Sequence, residues 1–261
     1  MPERAGPRLF VHDDLAMGGG VPLSSGQAHY LKNVMRLSPG APVILFNGRD
    51  GEWQGQIADL RRSAGTVTLE NQRRPQAVEP DIWLLFAPIK RAPLDFLVQK
   101  AVELGASRLW PVMTRHTDVN RVNLERIQST AVEAAEQCER LTIPEVSAPA
   151  SLQDALAGWP EDRRLLVCAE AGAVRPIAGI LKEMKPAVDG GIPPTMAILV
   201  GPEGGFEASE LDAIRKLPFV TATGLGPRVL RAETAALAAL ACWQSVLGDW
   251  DSSRVQPAKA T

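Results

Sequence analysis

Cysteine and histidine are scarce in this chain, three of each in 261 residues. Cys138, Cys168 and Cys242 are odd in number, widely spaced and form no CxxC pair. That excludes a disulfide framework and points to buried free thiols in a reducing compartment. His12, His29 and His116 stand too far apart for a metal-ligand spacing, so no metal is expected. An excess of one charge is missing too: the formal net charge is −2, and no global field advertises a nucleic-acid partner. No apolar run approaches the roughly 20 residues that span a bilayer. The opening MPERAGPRLFVHDDLAMGGG has no apolar core ahead of a cleavage site. Together these absences read as a cytoplasmic protein without membrane contact.

What is present is ordinary globular composition, 45% hydrophobic and 22% charged, at a length that suits one large domain or two ordinary ones. The texture changes near residue 77. Before it, APVILFNG, RDGEWQGQIADLR and AGTVTLENQ alternate with turn signals. Asn-Gly and Asp-Gly at Gly48 and Gly51 favour hairpins, because glycine tolerates positive φ. One amphipathic stretch, SGQAHYLKNVMRL, sets Tyr30, Leu31, Val34 and Leu37 at helical spacing. Residues 1–77 therefore read as a small β-barrel domain. It carries nine Lys/Arg against seven Asp/Glu, a weak asymmetry in which Lys32, Arg36, Arg61 and Arg62 are either candidate RNA contacts or simply solvated basic side chains. RRPQAVEP, at 73–80, has linker composition. Beyond it, apolar runs (DIWLLFAPI, RLWPVMT, RRLLVCAE, TMAILVGP, FVTATGLG) alternate with helical ones over 78–250. Such alternation implies a parallel sheet covered on both faces. DSSRVQPAKAT, 251–261, reads as a flexible tail.

Two glycine turns follow apolar strands. GPEGG, at 201–205, lacks the Lys-Ser/Thr pair of a phosphate loop. Its Glu203 would repel a phosphate and suits a hydroxyl, an amine or a cation. The structural reading of this stretch is a tight turn before a helix capped by Ser209, with Asp212 three residues on. LGPRVLRAETAA, at 225–236, lacks the third glycine of a dinucleotide fingerprint and does not open a βαβ unit. Its helix begins near Glu233 and Thr234, where an acid stabilises the positive helix end by about 0.3–1 kcal/mol. Arg228 and Arg231 flank the loop at the expected carboxyl edge of the sheet, suited to hold phosphates or orient a polar base. Helix 123–140 carries an apolar stripe of Leu124, Ile127, Ala131, Ala134 and Cys138. Glu136 and Arg140, four apart, fit a surface salt bridge.

LVGPEGGF, LGPRVLRAETAA and the upstream PIKR…VQKAVELGA…AAEQCER together resemble the bacterial 16S rRNA uridine N3-methyltransferases, the RsmE family of the SPOUT superfamily. The similarity runs from HYLKNVMRL to the last helix. It implies an α/β fold with an N-terminal PUA-like β-barrel for RNA and a C-terminal SPOUT α/β domain that binds S-adenosylmethionine. That domain would carry a trefoil knot, which ordinary topology rules exclude, so the knot rests on the resemblance alone. A homodimer with sites at the subunit interface is implied, acting on 16S rRNA within the small ribosomal subunit. The implied cofactor pocket comprises Ala169, Glu170, Gly201, Glu203, Gly204, Leu225, Gly226 and Leu230. Lys90, Arg91 and Arg228 join the RNA contacts. Methylation at N3 needs an unpaired uridine and loss of the N3 proton. Arg231 is the candidate for stabilising the uracil anion, with Glu233 or Glu136 as general base. The family often has glycine where this chain has Glu139. Two alternatives stay open: a knotted methyltransferase acting on a ribose hydroxyl of tRNA or rRNA, and a non-catalytic scaffold whose Arg228 and Arg231 hold phosphate.

Overall fold

The computed structural model describes residues 6–119, 121–169, 174–184 and 194–250. The expected tail at 251–261 and the candidate Glu170 lie outside the described residues. The chain forms two compact units, the first from 6–78 with 135–143, the second from 79–134 with 144–250.

The first unit contains β1 (Arg8–Phe10), β2 (Gly20–Leu23), α1 (Ser25–His29) continuing into a π-helical turn (Tyr30–Val34), β3 (Pro42–Phe46), β4 (Glu52–Leu60) and β5 (Gly65–Arg74). They build a PUA-like five-stranded sheet of order β1-β3-β4-β5-β2, antiparallel except for β1 beside β3. Register shifts along β4 and β5 mark bulges, which bend and twist a sheet. The β3–β4 connection is the Asn-Gly-Arg-Asp-Gly stretch. Asn47 Oδ1 accepts from the Arg49 and Asp50 N–H groups, and Gly48 and Gly51 take φ of 79° and 78°. Leu9, Val21, Leu31, Val43, Leu45, Ile57, Val67 and Leu69 fill the core. Ser24 and Gln27 form a capping box on α1. Of the expected helical stripe, Leu31 is buried and Leu37 packs on the core, but Tyr30 and Val34 are 37% and 62% exposed. The wider i→i+5 turn takes these two off a 3.6-residue stripe.

Segment 135–143 joins this unit through backbone hydrogen bonds. Arg8 donates from Nη1 to Ala135 O (2.7 Å) and from Nη2 to Arg140 O (2.5 Å), and Arg74 Nη2 donates to Glu139 O (2.8 Å). Glu136 Oε1 accepts from the Phe10 N–H at 2.9 Å. Both arginines also grip Glu52, at 2.7 and 2.6 Å, with its side chain only 5% exposed. Burial pushes the Glu52 carboxyl up, yet the hydrogen bonds from Arg74 and Arg8 outweigh it and hold it below its ordinary 4.5. Glu139 has a φ of 62°, the left-handed conformation that glycine adopts without strain. Cys138 is exposed and Cys242 only half-buried, so of the three thiols expected to be buried Cys168 alone is; α3 (below) ends one residue before Cys138, so the apolar stripe stops short.

The second unit runs β6 (Ile82–Phe86), α2 (Arg91–Glu103), β7 (Arg108–Met113), α3 (Leu124–Gln137, its last turn already in the first unit), β8 (Glu145–Val146), β9 (Ala150–Ser151), α4 (Leu152–Ala157), β10 (Arg164–Cys168), β11 (Arg175–Pro176), α5 (Ile177–Met184), β12 (Met196–Val200), α6 (Ala208–Arg215), β13 (Val220–Gly224) and α7 (Ala232–Val246). The sheet order is β11-β13-β10-β12-β6-β7-β8, with every described ladder parallel. Leu85, Val112, Leu165, Val167, Ala197 and Leu199 pack with Leu152 and Ala155 of α4 and Leu211 and Ile214 of α6. Helix α7 covers β6 and β12 and packs with α2 and α5. All five residues of β12 are buried, as a strand covered on both faces must be.

Candidate functional site

Three adjacent strands end level with one another. Cys168, the last residue of β10, pairs with Val200 of β12 and Thr223 of β13. The loops leaving β12 and β13 emerge beside Ala169 at the carboxyl edge, where parallel sheets leave a ligand crevice. A cavity of about 330 Å³ opens there, a size that suits a small organic ligand.

The first loop, 201–207, is shaped by its own side chains. A Cβ on Gly201 would sit 2.9 Å from Phe206 Cε2, so the ring rests directly on the Gly201 backbone. Gly205 takes a φ of 69°, and its N–H closes on Pro202 O at 2.9 Å. Helix α6 then begins at Ala208 with Glu207 as N-cap, which corrects the expected Ser209 cap. The tight turn delivers the chain into the helix two residues early, and the Ser209 hydroxyl donates instead to Glu207 Oε1 at 2.9 Å.

The second loop, 224–231, is shaped by its backbone. Gly226 has a φ of 107°, and among the described residues nothing lies within 4 Å of where its Cβ would be. Arg231 is the N-cap of α7 and is exposed; Glu233 lies in that helix's first turn.

Ala169, Gly201, Gly204, Leu225, Gly226 and Leu230 all line the cavity, as does Arg228, expected as an RNA contact. Among the described residues, Glu203, Arg231 and Glu233 are not lining groups. Glu203 is exposed, and the other two directly follow or flank the lining residues Leu230 and Ala232. Glu136 belongs to the first unit. Lys32, Arg36, Arg61 and Arg62 are exposed there: Lys32 Nζ donates to Leu60 O at 3.1 Å, beside the two arginines, and Arg61 pairs with Asp59 at 3.0 Å. Arg36 takes a φ of 56°. Lys90, the N-cap of α2, and Arg91 are exposed on the second unit.

Sequence reasoning missed Phe206 and Cys168, both cavity-lining. Burial pushes the Cys168 thiol up to about 12, so it stays protonated and unreactive at neutral pH. An aromatic directly after two glycines was the available signal for Phe206; nothing in the sequence marked Cys168. Among the described residues no cluster of His, Cys, Asp and Glu could hold a metal, and no helix is long and apolar enough to cross a membrane.

Residues 77–244 match the family described as RNA methyltransferase domain, and residues 23–70 match the RNA methyltransferase PUA domain. A ribosomal RNA small subunit methyltransferase E from Rickettsia conorii is 32% identical over 240 residues, covering 90% of this chain and 93% of that protein. The crystal structure of a Neisseria gonorrhoeae ribosomal RNA small subunit methyltransferase E bound to S-adenosyl methionine superposes with a TM-score of 0.80 at 27% identity, covering 94% of this chain and 99% of that one. A Legionella pneumophila protein solved in complex with the bound cofactor SAM gives 0.77 at 26% identity, covering 92% and 97%. With the PUA and methyltransferase matches in this order along nearly the whole chain, the protein belongs to the ribosomal RNA small subunit methyltransferase E (RsmE) family.

Proposed function

We propose that this enzyme transfers a methyl group from S-adenosylmethionine to N3 of a uridine in 16S rRNA. One observation carries the reading: two glycine loops of the RsmE pattern converge on a single cavity at the carboxyl edge of the sheet. The lining fits the cofactor. Gly204, Leu225 and Gly226 offer backbone edges for an adenine and a ribose, Val200 and Leu230 offer apolar surface, and the GPEGG turn has no phosphate-binding lysine. When bound, the cofactor supplies an electrophilic methyl group on a sulfonium.

The chain's residues prepare the acceptor. N3 lies on the pairing edge, so the uridine enters unpaired. As N3 gains the methyl carbon, whose bond to sulfur breaks, its proton passes to a carboxylate; Glu233, in the first turn of α7, takes that role. Arg231, one residue before the helix, opposes the negative charge developing on the uracil carbonyl oxygens. Glu136, whose carboxylate accepts the Phe10 N–H, is the second candidate for that base.

The basic residues Lys32, Arg36, Arg61 and Arg62 of the PUA-like unit, with Lys90, Arg91 and Arg228, hold rRNA phosphates. A homodimer, a trefoil knot, a cytoplasmic site of action and a small-subunit substrate complete the reading, on the family resemblance. Nucleoside analysis of rRNA from a strain lacking this protein tests it. Loss of 3-methyluridine supports the assignment, and loss of a ribose-methylated nucleoside instead would move it to ribose chemistry. Failure of the protein to bind S-adenosylmethionine in calorimetry would leave only the scaffold.

A further inference from the structure

The turn that follows β7 braces the first glycine loop. Thr117 Oγ1 accepts from the Thr114 N–H at 2.9 Å and pairs with Thr114 Oγ1 at 2.9 Å, folding 114–117 back on itself. This turn carries Arg115 and His116 to residues 204–210. His116 Nδ1 lies 3.2 Å from Gly204 O and 3.2 Å from Gly205 O. Carbonyl oxygens only accept, so Nδ1 carries the proton and shares it between them. Arg115 adds an ion pair from Nε to Glu207 Oε2 at 2.9 Å, and its N–H donates to Glu210 Oε1 at 3.3 Å.

Gly204 and Gly205 line the cavity, and two successive glycines have more backbone freedom than any other pair. Because a peptide unit is planar, holding their carbonyls also fixes the directions of the Gly205 and Phe206 N–H groups. We infer that His116 is a positioning residue for the cofactor: its imidazole locks the Gly204 and Gly205 peptides into the shape that the ligand meets. It rests on reading the cavity as the S-adenosylmethionine site. The residue sets affinity for the cofactor, not the rate of transfer once the cofactor is bound.

Calorimetry with S-adenosylmethionine on the full chain tests it, using His116→Ala, His116→Asn and His116→Gln. Asparagine keeps a donor at the δ position, whereas glutamine moves it one atom further out. Loss of one shared neutral hydrogen bond should weaken binding about tenfold in His116→Ala. His116→Asn should return close to wild type and His116→Gln should not. Single-turnover methylation at saturating cofactor should stay unchanged in all three, and the ligand-free melting temperature should fall by no more than about 2–4 °C. Wild-type affinity in His116→Ala overturns the inference, as does an His116→Asn variant as weak as the alanine, or a rate loss at saturation. If the wild-type chain itself binds no S-adenosylmethionine, the proposed function falls first and this inference with it.

Discussion

The two glycine loops at the cavity look alike in sequence and differ in why they need glycine. In the first, the demand at Gly201 comes from a neighbouring side chain, because the Phe206 ring occupies the space beside it; Gly205 answers a left-handed φ of 69°, and a Cβ on Gly204 would only touch His116 Cβ at 3.4 Å. In the second, Gly226 has open space around it and a left-handed φ of 107°. At Gly201 the chain is packed against its own protein; at Gly226 it is bent in open space. A glycine next to a binding site is therefore evidence of ligand approach only after its own protein neighbours have been accounted for.

The largest expected effect lies at the end of the second loop. Arg231→Ala should lower single-turnover methylation about 100- to 1000-fold with cofactor affinity nearly intact, by analogy with removal of one oxyanion donor. An equal loss of cofactor affinity would make Arg231 a shaping residue of the loop. Gly226→Ala comes next. Holding an alanine at that φ costs about 1–3 kcal/mol, so S-adenosylmethionine affinity should fall roughly ten- to hundredfold as the loop relaxes. Gly204→Ala, with an ordinary φ, should change affinity far less, and equal losses at the two positions in calorimetry would erase the contrast between the loops.

Gly201→Ala should act on stability, lowering it by about 1–3 kcal/mol through overpacking against the ring, read as a fall in unfolding midpoint. Adding Phe206→Leu to it should recover part of that loss; no recovery would mean that the ring is not what excludes the Cβ. The smallest effect is expected at Glu139, a left-handed position without glycine. Glu139→Gly relieves about 1–2 kcal/mol of backbone strain against the greater freedom of glycine in the unfolded chain, leaving a gain of about 0.5–1 kcal/mol. Denaturant titration reads it, and a loss of stability would show that the Glu139 side chain contributes more than its backbone strain costs.

Residues with local signatures were legible from the chain itself. The alternation of apolar runs and helical periods announced the parallel sheet, because burial on both faces demands continuous apolar strands. The N-G and D-G turns were legible for the same kind of reason, since few residues accept positive φ. The spaced motifs from PIKR to LRAETAA carried the family and six of the lining residues: Ala169, Gly201, Gly204, Leu225, Gly226 and Leu230.

Tertiary structure decided what periodicity cannot encode, namely which element lies beside which. Strand β13 pairs with β10 across some fifty residues of chain, bringing Gly226 and Gly201 to one cavity. His116 meets Gly204 across a separation of 88 residues. Residues 135–143 leave the methyltransferase segment to be held by Arg8 and Arg74 of the PUA-like unit. A side chain's spacing along the chain reports the face it shares with near neighbours. Its partners across the fold are set by the ladder order and by the closing of buried hydrogen bonds, and these exist only once the chain has folded.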